Sequence, residues 1–304
     1  MLSLVTGHGR AAPLLWLTIW KEEIATRRND YEDACLRRLA ELVPQGCRVT
    51  VLADRGFGDQ KLFAFLAELG FGYVIRFRGN IRVADAQGEA KPAAEWVGQG
   101  GRARKLRDAR VTAKGRQVGA VVCVHAKGMK EPWCLAASDP EASAATLVNH
   151  YARRWRIEGM FQRLEAVLQS EIRSLGHPRA ALLGFAVAVL AHNVLSLLQR
   201  CVEKAHQEQK PPPEVSSYHL ALHIRSGYEG MLIALPPEQW RSYDGDPTAL
   251  ARRLLQLARN IDPRQVATSK RGPKAAAPKE YVDGAIARAH VSTARVLAQA
   301  RTTP

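Results

Sequence analysis

The chain opens with two short apolar runs, Leu2–Thr6 and Ala11–Trp16, on either side of Gly7-His8-Gly9. Runs of that length around a glycine turn predict a β-hairpin. Over Asp30–Val43, Tyr31, Cys35, Leu39 and Leu42 recur at helical spacing, and Pro44 and Gly46 end the pattern. Val49–Ala53 is almost uninterrupted apolar sequence, which predicts a strand buried on both faces. Asp54 follows, then the loop Arg55-Gly56-Phe57-Gly58. Asp59 stands where it can cap a helix running to Leu69, and Tyr73–Phe77 reads as another strand. Strand and helix thus alternate over the first eighty residues, which indicates an α/β sheet.

From Ile81 to Trp133 the pattern changes to glycine, basic residues and strand-like pieces at Val118–Val124 and around Trp133-Cys134-Leu135, predicting a β-rich insertion. Ala142–Ser174 reads as one long helix or two end to end, and Ala180–His206 as another. The run Ala180–Ala191 stops at His192-Asn193 and predicts a buried core helix rather than a membrane span, with His192 a hydrogen-bonded core residue. Thr248–Arg259 is helical in pattern, and Ser269–Lys279 is a basic, proline-rich tail. The expected organisation is therefore an α/β core over 1–80, the insertion over 81–140, a helical remainder of the core over 141–209 and a C-terminal extension over 210–304.

Charge narrows the function. The chain carries 44 Lys and Arg against 29 Asp and Glu, a formal net charge of +15. An Arg-rich surplus of that size points to a polyanion, with nucleic acid the expected one. Five cysteines without a Cys-x-x-Cys pair argue against a disulfide framework or zinc site and suit a reducing cytosol. Arg102, Arg104, Lys105 and Arg107 begin a basic stretch within the insertion that can contact a DNA backbone.

Two carboxylates suggest chemistry. Asp54 ends a strand, where open α/β sheets place their ligands. About a hundred residues later, Tyr151, Arg154 and Glu158 fall at i, i+3 and i+7, on one face of a continuous helix. Two such carboxylates can share Mg²⁺ ions in phosphodiester chemistry.

Leu52-Ala-Asp54-Arg55-Gly-Phe57 followed by Tyr151-x-x-Arg154-x-x-x-Glu158 resembles the DDE transposases of the insertion-sequence four group. Gly9-Arg10-Ala-Ala-Pro13-Leu14 and Trp155-Arg-Ile-Glu158-x-x-Phe161 are similar to further motifs of that family. The resemblance implies a ribonuclease H-like fold with a β-rich insertion and a helical extension. It implies Asp54 and Glu158 as catalytic metal ligands for Mg²⁺, with Mn²⁺ as a substitute. It assigns Tyr151 and Arg154, with Arg55 beside them, to DNA phosphates. The implied partner is double-stranded DNA, both transposon ends and target, held by a homodimer without a membrane in the bacterial cytoplasm, at the nucleoid. Two departures stand out. Glu165 occupies the place where the family carries a lysine, and no counterpart of the first catalytic Asp precedes Gly9-Arg10. The expectation is a truncated transposase in which Met1 is an internal methionine. A catalytically inactive DNA-binding remnant and a ribonuclease H-like nuclease are the alternatives.

Overall fold

The computed structural model describes residues 1–6, 11–19, 21–112, 115, 117–168, 170, 178–235, 238, 246–268, 281–282 and 285–286. The Gly9-Arg10 pair and the basic tail over 269–279 lie outside the described residues. The chain divides into two compact units. One comprises Leu15–Arg156 with Met1 and Ala277–Pro304, and the other Leu2–Leu14 with Ile157–Ala276.

The predicted hairpin is present as β1 (Leu2–Val5) paired with β2 (Ala11–Leu15). Helix α1 spans Lys21–Leu42, beginning well before the apolar stripe that predicted it. Its first half is held by polar contacts instead: Glu22 and Glu23 stand in the first turn, where the helix dipole favours acids, and the Tyr31 hydroxyl donates to Glu23 at 2.6 Å.

In the first unit, β3 (Thr50–Ala53) leads through a short 3₁₀ turn, Arg55–Phe57, to α2 (Gln60–Glu68) and then β4 (Gly72–Phe77). Asp59 caps α2 as expected, its carboxylate accepting from the Lys61 backbone N–H. Residues 81–140 contribute β5 (Arg82–Ala84), β6 (Ala90–Pro92), β7 (Arg104–Arg107), β8 (Arg110–Val111), β9 (Ala120–Val124) and β10 (Trp133–Ala137). Three of these belong to the main sheet, whose order is β3-β4-β10-β9-β7, while β6-β5-β8 form a small sheet of their own. The main sheet is mixed: β3 and β4 run parallel and every other pair is antiparallel. The expected α/β class is therefore present.

Position in the sheet decides burial. β9 and β10 have strands on both sides and all ten of their residues are buried. Helix α3 (Ala144–Ala152), capped by Ser143, covers one face of these strands with Leu147, Val148 and Tyr151. β3, in contrast, is an edge strand among the described residues, with β4 as its neighbour there, and none of its residues is fully buried. The expectation of a strand buried on both faces fails here, because apolar composition does not reveal how many neighbours a strand has.

Of the two readings of the segment from Ala142, one long helix or two end to end, the structure has the second. A 3₁₀ turn at Arg153–Trp155 separates α3 from α4 (Arg156–Ala166), so Tyr151 and Glu158 do not lie on one continuous helix. In the second unit α4 buries Met160 and Leu164, whereas Phe161 is exposed.

Helix α5 (Pro178–Ala205) is followed by α6 (Ser217–Ala234) and α7 (Pro247–Ala258), which enclose a small core of Cys201, Val202, Val215, Leu220, Ala258 and Val266. Within α5 the inward face carries polar groups. The His192 ring nitrogen lies 3.0 Å from the Ala11 carbonyl, Asn193 donates to Pro13 at 3.2 Å and Gln199 to Val215 at 2.8 Å. His192 is thus the hydrogen-bonded core residue anticipated. The buried helix expected over Ala180–Ala191 is not found: Leu183 is 66% exposed and Leu190 64%. By length and composition Arg179–Ala205 is long and apolar enough to cross a membrane.

Candidate active site

Asp54 stands at the carboxyl end of β3, where its carboxylate also caps the following turn by accepting from the Arg55 backbone N–H at 2.7 Å. That turn is pressed against β4. A Cβ on Gly58 would come within 2.8 Å of the Phe77 Cβ, so only glycine fits without a shift.

Two residues from α3 and its end converge on the same carboxylate. The Tyr151 hydroxyl donates to Asp54 Oδ1 at 3.0 Å, and Arg154 Nη2 stands 3.8 Å from Oδ2. Tyr151 is placed by packing: its ring meets Trp133 edge-on at 4.8 Å, and the residue is 1% exposed. The Arg154 guanidinium lies over the Trp155 ring at 5.1 Å. Burial pushes the Asp54 carboxyl upward. The Arg55 N–H, the Arg154 charge, the Tyr151 hydroxyl and the Arg76 charge together outweigh it and hold the group below its ordinary value. Burial, followed by the Asp54 charge, pushes the Tyr151 hydroxyl up to about 12, so it stays protonated and remains a donor. The result is an ionised, half-exposed carboxylate in fixed orientation.

Beside it lies a second cluster that sequence reasoning missed. The parallel register pairs Ala53 with Ile75, which sets Arg76 alongside Asp54. Arg76 Nη2 donates to Glu131 Oε1 at 2.7 Å, and Arg55 Nη1 reaches both Glu131 oxygens at 3.0 and 3.1 Å. A charged residue inside the apolar run Gly72–Phe77 was the one local sign of Arg76. Nothing local indicated Glu131.

The structure therefore joins Asp54, Tyr151, Arg154 and Arg55. Glu158 lies in the second unit, in the first turn of α4, and is half-buried. Tyr151, expected at a DNA phosphate, has its hydroxyl on Asp54. In the basic stretch, the Lys105 ammonium is engaged by the Pro140 and Ala142 carbonyls. Arg107 pairs with Glu141 at 3.5 Å, Arg104 lies over the Trp96 ring at 4.9 Å, and Arg102 is exposed. Among the described residues, no three His, Cys, Asp or Glu side chains converge as a metal cluster.

Comparison with protein families finds that residues 21–194 fit the transposase DDE domain. The match covers more than half of the chain. This chain belongs to the transposase DDE domain family. Its general function is accordingly that of a transposase, a protein acting on DNA. A search of curated proteins finds no match. Asp54, Tyr151, Arg154 and Glu158 all fall within the transposase domain, as does the Arg76–Glu131 cluster.

Proposed function

We propose that this chain is a transposase of the insertion-sequence four group, with a ribonuclease H-like catalytic core, that cuts transposon ends and joins them to target DNA. The observation that carries this reading is Asp54: an ionised carboxylate at a strand end, oriented by Tyr151 and Arg154 from 97 and 100 positions along the chain. The support for Glu158 as the second acid is its spacing after Tyr151 and Arg154. Asp54 offers the hard, charged oxygens that Mg²⁺ or Mn²⁺ prefers, and Arg154 stands 3.8 Å from its Oδ2. Bound by Asp54 and Glu158, the metal supplies Lewis acidity for displacement at phosphorus. Tyr151 acts through Asp54, keeping one carboxylate oxygen in place. Arg154 and Arg55 stand beside it as guanidiniums able to take a phosphate oxygen, and Arg102 and Arg104 extend the basic surface along the insertion.

A homodimer on DNA is part of the proposal. On α5 the exposed residues Leu183, Val187, Leu190, Val194 and Leu197 repeat at spacings of four, three, four and three, with valine and leucine alternating. Valine at a and leucine at d favours pairing of two helices. Two heptads fall short of the three or four that sustain an independent coiled coil, so a second copy is expected on this face only when DNA holds both chains.

The test is Asp54→Ala and Glu158→Ala, assayed for Mg²⁺-dependent nicking of double-stranded DNA and for binding to the same DNA. Nicking should vanish while binding persists, because metal ligands act on the chemical step. Unchanged nicking in either variant sinks the metal assignment. A wild-type chain that binds DNA without nicking it is the inactive DNA-binding protein instead, and nicking without strand transfer makes it a nuclease.

A further inference from the structure

Beside Asp54, at the carboxyl end of β4, a pocket of about 370 Å³ is lined by Arg55, Arg76, Arg78, Asn80 and Glu131 over a wall of Phe77 and Pro132. Three guanidiniums share this lining with one carboxylate, leaving a surplus of positive charge. Glu131, with its side chain 48% exposed, is bracketed by Arg55 and Arg76 through three hydrogen bonds of 2.7–3.1 Å. The Arg76 side chain is 12% exposed, and its Nε is buried with no hydrogen-bond partner among the described residues. Arg78 and Asn80 are exposed at the rim, and their side chains make no hydrogen bond or ion pair among the described residues.

An arginine pair gripping a carboxylate is the arrangement that grips a phosphodiester, since both anions offer two oxygens to planar guanidiniums. We propose that this pocket is a seat for a phosphodiester of the DNA strand, and that Glu131 occupies the seat as a stand-in anion until DNA displaces it. Displacement would free donors of Arg55 and Arg76 for the incoming phosphate, while Arg78 and Asn80 add contacts from the rim. The buried Arg76 Nε gains the acceptor it lacks. A strand whose reacting phosphate stands at Asp54 carries its neighbouring phosphates past this position, because Arg76 lies alongside Asp54 in register. The identity of the ligand rests on the transposase reading, while the anion seat rests on the pocket itself.

The test is the affinity of a labelled DNA duplex over a salt series without divalent metal, for the wild type, Arg78→Ala and Glu131→Gln. Arg78 is exposed and the Glu131 side chain is 48% exposed, so the folded state should tolerate either change. Arg78→Ala should reduce the slope of log affinity against log salt by about 0.9, the value of one phosphate contact. Glu131→Gln should tighten binding by roughly tenfold, since a like charge leaves the seat. A slope unchanged in Arg78→Ala, with binding no tighter in Glu131→Gln, overturns the proposal. Inorganic phosphate, titrated at constant ionic strength, separates the two sources of the anion: phosphate binding that is lost in Arg78→Ala, with the DNA salt slope the same in both proteins, would assign the pocket to free phosphate and overturn the DNA seat. The two readings fail separately. Cleavage retained in Asp54→Ala removes the metal site without touching these slopes, whereas flat slopes with cleavage intact remove only the seat.

Discussion

Strands β9 and β10 and the Ala180–Ala191 run of α5 are all apolar sequence, yet they lie in opposite surroundings. Every residue of Ala120–Val124 and Trp133–Ala137 is buried, whereas Leu183, Val187, Leu190, Val194 and Leu197 face outward. The strands have hydrogen-bonded neighbours on both sides and α3 across one face. The helix turns His192, Ser196 and Gln199 inward instead, where His192 and Gln199 find backbone carbonyls. An apolar run therefore records that burial is available, and the polar residues within it record which face is used. Where those polar groups can be satisfied internally, they mark the inside.

The largest expected effect tests this contrast directly. Leu135→Ala removes a fully buried side chain from β10 and should cost about 2–5 kcal/mol in urea unfolding. Leu190→Ala should change the stability of the isolated chain by no more than about 0.5 kcal/mol, yet weaken self-association on DNA in sedimentation measurements. An equal stability loss for both would mean that the α5 face is already covered in the single chain, and the contrast would collapse.

A smaller effect is expected from the inward polar face. His192→Leu keeps bulk but removes the partner of the Ala11 carbonyl, and should cost about 1–3 kcal/mol by the same unfolding measurement. A neutral or stabilising result would show that α5 tolerates an apolar inner face, leaving its polar residues without a role in orienting it.

Much of the site was legible because its signals are local. An acid after an apolar strand, the Gly-containing turn, the Asp59 cap and the Tyr151–Arg154 spacing are each carried by a few adjacent residues, and the structure brings Asp54, Tyr151 and Arg154 together. What escaped depends on pairing between distant segments. The edge position of β3 follows from the order β3-β4-β10-β9-β7, and no periodicity in Val49–Ala53 encodes it. Arg76 meets Glu131 because β10 pairs with β4, a register set across more than fifty residues. The sequence allowed two helices end to end, but the place of the break between α3 and α4 was hidden, since Arg153–Trp155 contains no proline or glycine to mark it.

The smallest expected effect concerns the one contact in which both the local and the distant signals take part. Tyr151→Phe keeps the ring against Trp133 and removes only the hydroxyl on Asp54. The Asp54 carboxyl is held below its ordinary value of 3.8, so its ionised form stabilises the fold above that pH, and the contribution is lost as pH falls through the folded value. Tyr151 supplies part of that depression. Its loss should therefore cost about 0.5–1.5 kcal/mol near neutral pH, the net worth of a typical hydrogen bond. The difference between wild type and variant should narrow as pH falls from 3.8 through the lower value of the folded chain, beyond which Asp54 is protonated in both folded and unfolded chains. Urea unfolding at neutral and acid pH reads both quantities. A gap that persists unchanged into acid would show that the hydroxyl stabilises the fold without acting on the carboxylate, and Tyr151 would lose its place as the residue that positions Asp54.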